Sequence, residues 1–182
     1  MRMFIAVLFP EEVKDGLCAA MDEMRPLCAK GVFTRRDNLH LTLAFLGEAG
    51  PAQAESARLA LKAVGAGPFS LQIGGIGCFR RPGGDIYWAG VEKNRPLAGL
   101  RESLRGELRA RGLPVEDRPF HPHLTLVRQA VLKSGCDRRA LSVPVMRMRV
   151  EKISLMESRR EEGRLTYLER DFHRLKGRGE KR

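Results

Sequence analysis

Apolar residues recur along the chain with spacings that predict most of its elements. Residues 3–9 form a continuous apolar run of strand length and read as a buried strand. Pro10 then opens a helix at its favoured first position, with Glu11 and Glu12 at the positive end of the dipole. Val13, Leu17, Ala20, Met21 and Met24 keep helical spacing to about Cys28. Residues 39–46 predict a second strand, stopped by Gly47, and residues 51–64 a second helix. Residues 69–79 are strand-like, and Gly74, Gly75 and Gly77 within them point to a bulge or a close backbone approach. A turn over 80–85 leads into a strand at 86–92. A third helix at 96–111 is ended by Gly112 and Pro114. Residues 123–127 predict a strand and 134–141 a short helix. Residues 145–157 alternate as one long strand, paired with 164–172 across Glu161-Glu162-Gly163. The Gly- and Lys/Arg-rich stretch 173–182 reads as a basic, disordered tail, leaving 1–172 as the folded domain.

The order strand, helix, strand, helix, strand occurs twice. Sliding the chain against itself by 83 positions places His40-Leu41-Thr42-Leu43 on His123-Leu124-Thr125-Leu126. The same register sets Ala6 on Ala89, Gly16-Leu17 on Gly99-Leu100 and Val32 on Val115. The repeat implies two similar lobes related by an approximate two-fold axis.

Successive side chains in a strand point to opposite faces. His40 and Thr42 therefore share one face and Leu41 and Leu43 the other, and His123/Thr125 and Leu124/Leu126 divide in the same way. With the leucines in the core, a two-fold axis brings two imidazoles and two hydroxyls around one cleft. A phosphate suits such a site, because hydroxyls donate to its non-bridging oxygens. In an in-line displacement a neutral imidazole takes a proton from water, and a protonated one gives a proton to the departing sugar oxygen. Histidine, with an ordinary pKa of ~6.5, supplies both forms near neutral pH. The scheme needs no cofactor and no metal. Its near-symmetry permits either assignment of the two roles.

Composition narrows the partner. The 182 residues are 43% hydrophobic and 30% charged, as in a soluble globule. No apolar run approaches the ~20 residues of a membrane span, and the first strand lacks the cleavage site of a signal peptide. Thirty-three Lys and Arg against 22 Asp and Glu give +11, of which the tail carries +4 and the body +7. Such a body favours a polyanion, nucleic acid or nucleotide before an anionic membrane. The four cysteines contain no C-x-x-C pair, and Cys18 and Cys78 read as packed small hydrophobes. His121 and His123 have a metal-site spacing with His40 as a third donor. Pro122 distorts the strand and no acidic residue flanks the pair closely, so His121 reads as a support of the cleft or an exposed residue. His173 reads as inert. Arg35, Arg36, Arg80, Arg81 and Arg118 are candidates for an RNA-tracking rim, against a solvated basic face. Phe33 and Phe120 are candidate base platforms, against core packing. No phosphate-binding loop of a P-loop ATPase is present, and the glycine run lacks the strand–turn–helix context of a dinucleotide fingerprint.

The paired H-x-T-x tetrapeptides resemble those of the RNA 2′,3′-cyclic phosphodiesterases, or 2′-5′ RNA ligase-like proteins, of the 2H phosphoesterase superfamily. Asn38-Leu39, Phe45-Leu46-Gly47, Phe120-His121-Pro122 and Phe4-Ile5-Ala6 match that family as well, and the resemblance runs to about Phe172. It implies an α+β, bilobal pseudo-two-fold fold, with two antiparallel sheets lining a central cleft and helices packed outside. It implies hydrolysis of RNA 2′,3′-cyclic phosphate ends to 2′-phosphomonoesters. His40 carries over as proton donor, His123 as acceptor, Thr42 and Thr125 as phosphate ligands, and Arg128 as a phosphate or nucleotide contact. The expected partner is RNA with a cyclic phosphate end, tRNA among the candidates, for a cytoplasmic, monomeric protein without membrane contact. The alternatives are 2′-5′ joining of tRNA halves by the same site run backward, and a non-catalytic RNA-end-binding module.

Overall fold

The computed structural model describes residues 1–117 and 119–176. In chain order its elements are β1 (Arg2–Leu8), α1 (Glu11–Met24), β2 (Cys28–Phe33), β3 (His40–Glu48), α2 (Pro51–Ala63), β4 (Phe69–Phe79), β5 (Asp85–Val91), α3 (Arg95–Ala110), β6 (His123–Leu132), β7 (Met146–Val150), β8 (Lys152–Glu161) and β9 (Arg164–Arg174). The strands form two antiparallel sheets, β3-β1-β8-β9 and β2-β6-β5-β4-β7. The α+β, bilobal architecture read from the sequence is the one observed.

The 83-residue repeat is visible in the element bounds. It carries Arg2–Leu8 onto Asp85–Val91, and the starts of β3 and β4 onto those of β6 and β8. β1 lies between β3 and β8, and β5 lies between β6 and β4. Each half of the chain therefore lends two strands to the sheet built around the other half's central strand, β2 and β4 from the first half and β8 and β9 from the second. Neither sheet is complete within its own half, so the lobes fold as one unit.

Alternation places the core as the pattern requires. Leu41, Leu43, Leu124 and Leu126 are buried at 0–3% exposure, while His40, Thr42, His123 and Thr125 on the opposite faces are half-buried. α1 turns Val13, Leu17, Ala20, Met21 and Met24 inward and packs against β6 and β7. α2 packs on β8 and β9 and against α3, which also touches β3 and β4. Asn94 caps α3, its side chain accepting from the Leu97 amide at 3.0 Å. Among the described residues no helix is long and apolar enough to cross a membrane.

Several elements differ from the sequence reading. Pro10 is the cap of α1 rather than its first helical residue, and α1 ends at Met24. β2 follows unannounced because it is a short edge strand paired only with β6, without a buried face to impose alternation. The long strand over 145–157 is two strands in different sheets, divided at Glu151: β7 edges the second sheet, while β8 runs inside the first with Ile153–Met156 buried in succession. The only mark of the change in the alternation is a one-residue slip of phase between Val150 and Ile153. β3 passes through Gly47, whose φ of 72° suits glycine, and ends at Glu48. β6 continues past Val127 to Leu132, across Gln129 at φ 52°. The short helix of 134–141 is a single tight turn at Arg138–Ala140. β9 extends through His173 and Arg174, and Leu175 is buried, so chain order persists beyond the boundary set at 172. The rest of the supposed tail, 177–182, and the rim candidate Arg118 lie outside the described residues.

Candidate active site

β3 and β6 meet where the two sheets face one another, and their polar faces line one cleft of about 280 Å³. His40, Thr42, His123, Thr125 and Arg128 all reach it. The sequence-predicted residues are thus gathered by the fold from positions up to 88 apart.

Both imidazoles are held in the same way. His40 Nδ1 lies 2.7 Å from the Asn38 carbonyl and His123 Nδ1 lies 2.7 Å from the His121 carbonyl. A carbonyl only accepts, so each Nδ1 carries the proton and each Nε2 is left for the cleft. The exposed His121 thus supports the site through its backbone. His40 Nε2 meets Thr42 Oγ1 at 3.0 Å. Thr125 Oγ1 accepts from Arg128 Nη2 at 3.4 Å, and the Thr125 carbonyl accepts from Thr34 Oγ1 at 2.8 Å.

Aromatic walls complete the two settings. The His40 ring lies 4.8 Å from Phe4 and 5.1 Å from Tyr167, the latter edge-on. His123 is met edge-on by Phe79 at 5.1 Å, with Trp88 at 5.9 Å. Burial pushes the His40 pKa below 6.5; the Asn38 carbonyl opposes this, and the Arg128 and His123 charges add to it. Burial raises the Tyr167 phenol.

The lowered His40 has a consequence for stability. The unfolded chain binds a proton near pH 6.5 that the folded chain resists, and His173 is depressed in the same direction by burial. Stability therefore falls as pH drops from about 6.5 through the folded pKa values, and is fully present above that window. Urea midpoints between pH 7.5 and 5 check this, and His40→Gln flattens the dependence.

The other candidates separate. Arg35 lines the cleft and donates to the Leu165 carbonyl at 3.5 Å. Arg36 instead pairs with Glu11 and Asp15, each at 2.6 Å, and Arg80 with Asp85 at 2.7 Å. Phe33 lines the cleft, whereas Phe120 packs under the Arg101 guanidinium at 4.5 Å. His173 meets the Val64 carbonyl at 3.1 Å. The sequence reading missed Val32, Thr34, Asn38, Arg164, Leu165 and Tyr167 as cleft residues. β9 brings the last three from over 120 residues beyond His40, and only the period-two placement of Leu165 and Tyr167 hinted at a shared face. Among the described residues no three His, Cys, Asp or Glu side chains converge as a metal site does.

Residues 13–162 match the model of the 2′-5′ RNA ligase superfamily. The RNA 2′,3′-cyclic phosphodiesterase of Thermus thermophilus is 37% identical over 143 residues, which make up 71% of this chain and 69% of that protein. The RNA 2′,3′-cyclic phosphodiesterase of Geobacillus stearothermophilus is 32% identical over 129 residues, 69% of this chain but 41% of that longer protein. Among solved structures, Escherichia coli LigT complexed with 3′-AMP superposes with a TM-score of 0.80 at 28% identity, covering 96% of this chain and 97% of that one.

Proposed function

The chain belongs to the 2′-5′ RNA ligase superfamily, and from that premise we propose that it hydrolyses the 2′,3′-cyclic phosphate at an RNA end to a 2′-phosphomonoester. The observation that carries the reading is the convergence of two imidazole Nε2 atoms and two threonine hydroxyls on one cleft. In the proposed reaction water attacks phosphorus in line with O3′. His123 takes the water proton as the P–O bond forms, and His40 gives its proton to O3′ as the P–O3′ bond breaks. The 2′-phosphate and a free 3′-hydroxyl result, and exchange with solvent restores both rings.

Thr42 and Thr125 hold the non-bridging oxygens, and Arg128 adds a cation beside them. The exposed apolar lip of Val32 and Leu165 accommodates the terminal nucleobase. In the free cleft His40 favours its neutral form. The phosphate's negative charge offsets the repulsion from Arg128 and His123 and recruits the proton that the donor role requires. Both His/Thr pairs come from one chain, so a monomer suffices, and tRNA ends are among the substrates the cleft admits.

Arg128→Ala is expected to raise KM about tenfold to a hundredfold with a smaller change in kcat, since a hydrogen bond to a charged group is worth about 1.5–3 kcal/mol. Steady-state kinetics on a nucleoside 2′,3′-cyclic phosphate check it. The reading itself is tested by incubating a cyclic-phosphate-ended oligonucleotide in EDTA and analysing its end. A 2′-phosphate supports it. A 2′-5′ linkage to a second RNA, a 3′-phosphate, or activity only with added metal overturns it.

A further inference from the structure

The glycine-rich part of β4 takes no part in the chemistry above, yet it shapes one wall of it. Gly77 is paired with Trp88 of β5, and a Cβ built on Gly77 would fall inside the indole. The ring of the chain's only tryptophan therefore lies over the bare backbone of β4. There it is 5.2 Å from Phe79 and 5.9 Å from His123, and Phe79 meets His123 edge-on at 89°. Among the described residues the buried indole N–H has no hydrogen-bond partner. Buried donors are normally satisfied, so the position uses the breadth of the ring rather than its polar group.

We infer that Trp88 is a positioning residue for His123, seated by Gly77, a role that rests on the phosphodiesterase reading of the cleft. The His121 carbonyl anchors Nδ1 at 2.7 Å, but a hydrogen bond bends easily and leaves the ring a small tilt through χ1 and χ2. Trp88 and Phe79 limit that tilt, so Nε2 keeps a single direction. Phe4 and Tyr167 give His40 the same kind of setting across the cleft.

Trp88→Leu is expected to lower kcat about tenfold to a hundredfold, with KM nearly unchanged, because a misplacement of about 1 Å costs up to 10²-fold. Trp88→Phe, which keeps an aromatic face but gives up part of the indole's breadth along with its unpartnered N–H, restores part of kcat. A second readout needs no altered tryptophan. An imidazolium this close quenches indole emission, so wild-type fluorescence falls as His123 protonates and recovers as it deprotonates. His40, Tyr167, Arg35, Arg128 and Arg164 share the cleft, so the same titration of His123→Gln assigns the transition. Wild-type kcat in Trp88→Leu, or an emission transition that persists in His123→Gln, overturns the inference. A wild-type protein without turnover overturns the phosphodiesterase reading instead, and leaves the fluorescence titration to decide the contact.

Discussion

His40→Ala and His123→Ala are each expected to cut turnover of an RNA 2′,3′-cyclic phosphate by about 10²–10⁴-fold, the usual contribution of one positioned acid or base. Both proteins should remain folded, because neither ring belongs to the core that holds the strands. The two losses are not equivalent. A phosphodiester with a nitrophenolate leaving group needs no proton on departure, so it bypasses a missing donor but not a missing acceptor. His40→Ala is expected to regain most of its activity on that substrate, and His123→Ala is not. Rescue of His123→Ala alone would exchange the roles while keeping the pair. Full activity of either variant on the cyclic phosphate would remove the pairing altogether.

The adjacent positions respond in the opposite sense. Leu41→Ala and Leu124→Ala, each at 0% exposure, are expected to cost about 2–5 kcal/mol of stability. Leu41 lies beneath β3 and Leu124 beneath β6, so each truncation opens a cavity in the layer that fixes the neighbouring histidine. Urea unfolding reads the loss as a lower midpoint at unchanged slope, with activity per folded molecule largely retained. A neutral Leu→Ala at either position would mean that the alternation of these strands has been assigned to the wrong faces.

That alternation is also what made the site legible. A tetrapeptide repeated at a distance of 83 residues, with polar and apolar positions interleaved, states which side chains share a face and which lobes correspond. His40, Thr42, His123 and Thr125 could be named from it, whereas Arg128 came only from the family resemblance. Tyr167, Phe79 and Trp88 could not, because they reach the imidazoles through strand pairings that no local pattern specifies. The exchange of β4 and β8 stayed hidden for a related reason. Residues 145–157 read as one alternating strand, although their apolar positions pass from 146, 148 and 150 to 153 and 155 where the chain leaves one sheet and enters the other. Gly77 was visible as a close approach, but its partner was not. Burial without alternation, as in β8, and pairing without burial, as in β2, are the two conditions under which strand reading failed.

The central claim is that two imidazoles act on one phosphorus, and imidazole NMR of the four histidines tests it directly. On titration with a nucleoside 2′-monophosphate, the ring signals of His40 and His123 should move together along one binding curve, while those of His121 and His173 stay in place. A shift confined to one of the cleft histidines, or one that appears instead at His121 or His173, would contradict it.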